Sequence, residues 1–151
     1  MAGGFTVSKE KIEAFREYLI KSLLKSEVRQ SKVLNLYLDS AIAPSALNED
    51  FYEQINYLAP FGPGNNEPKF VIENLKIISS DVINNNHIRS ILLGKDGSIV
   101  KSFAWNAING PLEPYLNKKN KKKIDVAGKM KLNEWRGKKN IDFIIEDVAL
   151  S

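Results

Sequence analysis

From residue 12 onward the apolar residues Ile12, Phe15, Leu19, Ile20 and Leu23 recur at steps of three and four, which places them on one face of a helix. Thr6 or Ser8 offers a side-chain oxygen just ahead of this run, where a helix N-cap is needed. The pattern predicts a helix from residue 8 to about 26. Residues 33–39, Val-Leu-Asn-Leu-Tyr-Leu-Asp, then alternate and predict a short strand. Asn48 is placed to cap a second helix, with Phe51, Ile55 and Leu58 along one side.

Pro60-Phe-Gly-Pro-Gly-Asn-Asn-Glu-Pro68 ends the helical spacing. Its prolines remove backbone donors and its glycines permit positive φ, so Pro60, Phe61, Gly62, Gly64 and Asn65 are expected to build a rigid corner. Asn65 is expected to supply the hydrogen bonds that hold it. Beyond the corner the period changes to two. Strands are predicted at about 69–79, 86–93, 98–105, 123–134 and 138–148, with a short helix near 107–117. Ile124, Val126, Met130 and Leu132 share one side of the fourth strand, and Ile141, Phe143 and Ile145 one side of the fifth. Gly128 interrupts the fourth and predicts a bulge or bend; residues 133–137 form the turn. Five strands with a helix between the third and fourth is the element order of an OB-fold barrel. The predicted class is therefore α+β: a mainly β, five-stranded OB-fold barrel over 69–151, a linker at 60–68, and a small helix-strand-helix segment over 1–59.

Charge adds a functional direction. Residues 118–139 hold ten basic residues against Asp125 and Glu134, a local net charge of +8, so the rest of the chain carries −4 of the total +4. A concentrated basic stripe favours polyanions, although a solvated lysine-rich hairpin has the same composition. Alternation puts Lys129 and Lys131 on the outer side of their strand, near Trp135 and Arg136 in the turn and Lys138 or Lys139 across the hairpin. Arg89 and Lys101 extend the same basic surface on neighbouring strands. These eight residues are the candidate nucleic-acid contacts, the cations for phosphates and the indole for stacking on a base. An equal alternative for Trp135 is a plug at the end of the barrel. Phe103 and Trp105 are assigned to the core, and His87 to a hydrogen-bonded structural role.

Other chemistry is sparse. The chain has no cysteine and one histidine, so neither a thiolate metal site nor a histidine-rich one is expected, and no catalytic residue is assigned. The lack of cysteine points to a reducing cytoplasm. No secretory signal is seen at the N-terminus, and no apolar run approaches the roughly 20 residues of a membrane span.

Two segments carry a family resemblance: Leu58-Ala-Pro-Phe-Gly-Pro-Gly-Asn-Asn-Glu-Pro68 and Val126-Ala-Gly-Lys-Met-Lys-Leu-Asn-Glu-Trp-Arg-Gly137. They resemble the L-x-P-F-G-x-G-N-x-x-P and G-x-x-x-x-N-x-W-x-G signatures of the RecJ exonuclease family. His87-Ile-Arg is similar to the family's H-L-K, and Ala2-Gly-Gly-Phe5 to the A-A-G-F that follows its G-G-H motif. The resemblance implies the end of an accessory domain followed by an OB-fold. It also implies a parent enzyme that cuts single-stranded DNA 5′→3′ in repair and recombination, using Mn2+ or Mg2+ held by Asp and His ligands in an N-terminal catalytic domain. The present chain would then bind single-stranded DNA without cutting it or holding a cofactor, its partners being that DNA and the missing catalytic domain. The rival expectation is a structural or protein-interaction barrel that does not bind nucleic acid.

Overall fold

The computed structural model describes residues 4, 6–25, 35–135 and 137–151, without the side chains of residues 23–25, 135 and 138. The chain divides into two compact units, Met1–Leu36 and Tyr37–Ser151. In the first, a 3-10 turn at Lys9–Lys11 leads into helix α1, Ile12–Lys25. Ser8 stands at the N-cap of that turn, but its side chain makes no capping hydrogen bond. The periodic residues Ile12, Leu19 and Ile20 are all exposed. Leu23's side chain and the Ala2, Gly3 and Phe5 positions lie outside the described residues.

The second unit opens differently from expectation. Residues 35–38 have no regular structure, and strand β1 is the pair Ser40–Ala41; residues 33 and 34 lie outside the described residues. Pairing overrides local alternation here. β1 runs parallel to the start of the next strand, Ser40 opposite Phe70 and Ala41 opposite Val71. Flanking bonds from Asp39 N to Lys69 O and from Ile42 N to Val71 O fix that register.

Helix α2, Glu49–Asn56, begins where expected: the Asn48 side chain accepts from the Phe51 N–H at 2.9 Å, a cap that contributes about 1 kcal/mol. Phe51, Tyr52 and Ile55 pack on the barrel core, but Leu58 falls beyond the helix and is exposed. In the corner that follows, Gly62 and Asn65 exchange backbone hydrogen bonds around Pro63-Gly64, with Gly64 at φ 85°. Proline then glycine is the pairing a type II turn favours. The Asn65 amide donates to Leu58 O at 2.8 Å and Pro60 O at 3.0 Å.

Strands β2 (Phe70–Ile83), β3 (His87–Leu93), β4 (Ile99–Ala104), β5 (Ile124–Trp135) and β6 (Lys138–Leu150) form the rest of the sheet. Their order is β2-β3-β4-β6-β5, and β5 pairs back onto β2. The result is a closed five-stranded, OB-like barrel, with β4 and β6 parallel and β1 added at the edge of β2. Within the barrel β2 serves two neighbours, β5 with its first half and β3 with its second. It turns between them at Asn74, φ 60°, whose N–H donates to the Asp125 carboxylate at 2.8 Å. Ile72, Leu75, Leu92, Val100, Ile124, Val126 and Phe143 fill the interior with no exposure.

The β5–β6 register shifts at Ala127 and Gly128, with Glu146 as the extra residue on β6. That bulge reverses the parity of β6, so the inward series Ile141, Phe143, Ile145 continues at Val148. The helix expected over 107–117 shrinks to one turn, α3, Glu113–Leu116. Asn109 at φ 59°, followed by Gly110 and Pro111, prevents an earlier start.

Candidate nucleic-acid interface

The outer face of β3 and β4 follows from what the barrel buries. Ile88, Ser90 and Leu92 point inward from β3, and Val100, Ser102 and Ala104 from β4. His87, Arg89 and Ile91 therefore face outward, as do Ile99, Lys101, Phe103 and Trp105. The two buried serines are satisfied within the wall, Ser102 Oγ donating to Ser90 O at 3.0 Å. Across the strands Arg89 stands opposite Phe103, and Ile91 opposite Lys101.

Three rings form a continuous cluster at one end of this face. Phe103 and Trp105 have centroids 4.5 Å apart, His87 and Trp105 4.8 Å, and His87 and Phe103 5.6 Å. Trp105 is 53% exposed and Phe103 is half-buried, so the assignment of both to the core is overturned. The barrel interior takes only small side chains at Ser102 and Ala104, which leaves the large odd-numbered residues outside. His87 Nδ1 accepts from the Asn106 N–H at 3.0 Å, and the Asn86 amide donates to the Asn106 side chain at 2.6 Å. These bonds tie the β2–β3 turn to the end of β4 and hold the imidazole on edge against the indole.

Beside the rings lies a groove of about 330 Å³ that crosses the sheet, with Arg89 and Lys101 in its wall. Asp81, Asn133, Asn140 and Asp142 line it as well. Lys101 Nζ donates to Asn140 Oδ1 at 3.0 Å, and the Asn133 amide to Asp142 Oδ2 at 3.1 Å. Two cations thus face two carboxylates, so the groove is polar and nearly charge-balanced rather than strongly positive.

Lys129, Lys131 and Lys139 do not line this groove. Lys129 lies 3.1 Å from Glu67 and 3.6 Å from Glu146, while Lys69 lies 2.6 Å from Glu146. Partial burial pulls the Lys129 pKa down, but the hydrogen bond and charge of Glu67, with Glu146 behind it, outweigh that and leave it above the usual lysine value. Lys129 fastens the corner segment to the barrel. Lys131 is exposed and paired across the strands with Asp142, and Lys139 is exposed opposite Glu134. Trp135 and Lys138 are paired at the end of the hairpin, but their side chains, and Arg136 entirely, lie outside the described residues. The sequence stripe is therefore divided: residues 118–123 precede β5, Lys129 and Lys131 lie along it, and Lys138 and Lys139 open β6.

Among the described residues no group of three histidine, cysteine, aspartate or glutamate side chains could hold a metal ion. The single histidine uses Nδ1 to accept from Asn106, and Glu67 and Glu146 are paired with lysines. This donor set does not fit a two-metal hydrolytic centre. Among the described residues no helix is long and apolar enough to cross a membrane.

Comparison with known proteins agrees with this architecture. Residues 38–147 match the family model described as the RecJ OB domain. The single-stranded-DNA-specific exonuclease RecJ of Bacillus subtilis (strain 168) is 23% identical over 153 aligned positions, covering 100% of this chain but 19% of that protein. RecJ from Thermus thermophilus, crystallised in complex with Mn2+, superposes with a TM-score of 0.63 at 20% identity, covering 98% of this chain and 20% of that one. Its Mg2+ complex gives 0.61 at 21% identity, covering 96% and 21%. The chain spans about a fifth of the length of these relatives. It belongs to the RecJ OB-domain family.

Proposed function

We propose that this chain is the non-catalytic, single-stranded-DNA-holding region of a RecJ-type exonuclease. The observation that carries the proposal is the exposed ring cluster His87–Phe103–Trp105 beside Arg89 and Lys101 on the β3–β4 face. An OB-fold uses this face for oligonucleotides. Aromatic side chains stack on bases of any sequence, and neighbouring cations meet the phosphates. Stacking needs unpaired bases, which gives a single-strand preference without base-specific hydrogen bonds.

In the parent protein the strand would pass from this face to a 5′→3′ exonuclease centre in the remainder of the polypeptide, where Mn2+ or Mg2+ would support hydrolysis. Cytoplasmic DNA repair and recombination are the corresponding setting. The corner built by Pro60, Phe61, Gly62, Gly64 and Asn65 would fix the barrel's entry, leaving residues 1–59 as the end of an accessory domain.

A protein-binding role for the same face is the second reading, favoured by the outward Ile91 and Ile99, the latter half exposed. Fluorescence anisotropy with labelled single-stranded and duplex oligonucleotides separates the two. Single-strand preference without cleavage in Mn2+ supports the DNA reading; absence of binding at low salt supports the protein-binding one.

A further inference from the structure

The ring-bearing face is nearly charge-balanced, so the chain's positive charge must act elsewhere. Lys76, Lys95 and Lys123 line one recess of about 330 Å³ at the far end of β3, floored by Leu93, Gly94 and Gly97. All three lysines are exposed, and among the described residues none is in an ion pair. The nearby carboxylates are turned to other partners. Asp96 accepts from the backbone N–H groups of Ser98 and Ser45, and Asp125 from Asn74 N and the Ser151 hydroxyl. Glu73 and Asp96 line the adjoining recess, which shares Asn74 and Lys95 with this one.

Three features point to a phosphate backbone as the occupant. The cations are lysines, compact point charges that suit phosphate without the bidentate geometry by which arginine reads bases. No aromatic ring lines the recess. The chain leading into Lys123 adds Lys118, Lys119, Lys121 and Lys122, all exposed, so seven lysines stand against the carboxylates of Glu73, Asp96 and Asp125 and the local charge stays positive. The recess and the first groove lie along one strand face, since Ile91 lines the groove and Leu93, two residues further along β3, lines the recess.

We infer that Lys76, Lys95 and Lys123 form a second, sequence-independent contact for the DNA backbone, which takes a strand as it leaves the ring cluster. The inference rests on the proposed single-strand binding and divides it into a stacking end and an electrostatic end. Six residue steps along β3 from His87 to Leu93 cover about 20 Å at roughly 3.3 Å each. A tetranucleotide, about 14 Å when stacked, reaches one end; a 16-mer spans both.

The test uses the whole chain with Lys76, Lys95 and Lys123 all changed to Glu, and separately all to Gln, each checked by circular dichroism. Salt titrations are run with four- and sixteen-nucleotide oligothymidylates. The expected result for both variants is unchanged tetranucleotide binding. For the 16-mer, affinity falls at least about tenfold and the slope of log K against log salt is shallower by about 2, the loss of three single-strand phosphate contacts. Wild-type slope and affinity for the 16-mer would overturn the inference while leaving stacking on the rings intact. Failure of the unaltered chain to bind either oligonucleotide would overturn both. Competition by polyglutamate as effective as that by DNA, charge for charge, would assign the lysines to an acidic protein and overturn the inference alone.

Discussion

Phe103, on the outer face of β4, and Trp105, just past the end of that strand, have ring centroids 4.5 Å apart. Both could have been buried, and the barrel instead closes over Ser102 and Ala104 between and beside them. Aromatic rings left on the surface beside a polar groove add little to the core, an arrangement that fits the proposed function, in which a ligand covers them.

Trp105→Ala is expected to weaken single-stranded DNA binding by about 1–3 kcal/mol, the usual value of one stacked base. Because the indole is 53% exposed, the same change should leave the melting temperature nearly unaltered. Anisotropy titration and thermal denaturation of one protein preparation check both halves.

The groove contains its own repulsion. Asp81 lines it together with Arg89, so Asp81→Asn should raise affinity for a 16-mer about two- to fivefold at low salt, an effect of roughly 0.4–1 kcal/mol that screening removes. Unchanged or lower affinity would mean that the phosphates do not pass this wall.

Gly128 cannot accept a side chain. A Cβ there would lie 1.9 Å from Ile144 O and 2.9 Å from its carbonyl carbon, both backbone atoms that cannot move aside. Gly128→Ala should destabilise the barrel by about 3 kcal/mol, a fall in melting temperature of roughly 6–12 °C for a chain of this size.

Lys129 ties the corner to the barrel through Glu67 and Glu146. Since its folded pKa is raised, this contribution is complete below the ordinary lysine value near 10.5 and disappears as pH climbs through the higher folded value. Melting between pH 9 and 11.5 should therefore show a steeper alkaline loss for the unaltered chain than for Lys129→Met. Asn65→Ala, which removes the donors to Leu58 O and Pro60 O, should cost about 1–2 kcal/mol of stability without altering the salt slope of DNA binding.

Much of this fold is legible in the chain. Period-two alternation marks all five barrel strands to within a few residues, and Asn48 announces α2. What alternation cannot reveal is which long-range partner wins: β1 forms at Ser40–Ala41 because the start of β2 is there to receive it, not because residues 33–39 alternate. Val148 is buried rather than Asp147 because of a bulge at Glu146; Gly128 announces an irregularity at this point, but nothing local places the extra residue on β6.

The interface is less legible, for a related reason. Arg89 and Lys101 can be placed on one groove from parity alone, and parity applied to residues 99–105 would also have set Phe103 and Trp105 outside. Side-chain size argued the other way, since rings are usually core. Likewise the +8 stripe suggests one surface, whereas Lys129 is held by Glu67, a partner distant in sequence.

The indole itself can report whether DNA lies on the ring-bearing face. The chain has two tryptophans, so Trp135→Phe leaves Trp105 as the sole reporter on the β3–β4 face. Titration with a single-stranded 16-mer should quench its fluorescence in step with binding followed by anisotropy, and duplex DNA should do so far less. Binding that leaves Trp105 emission unchanged would contradict the proposed function, because the DNA would then be held somewhere other than the ring-bearing face.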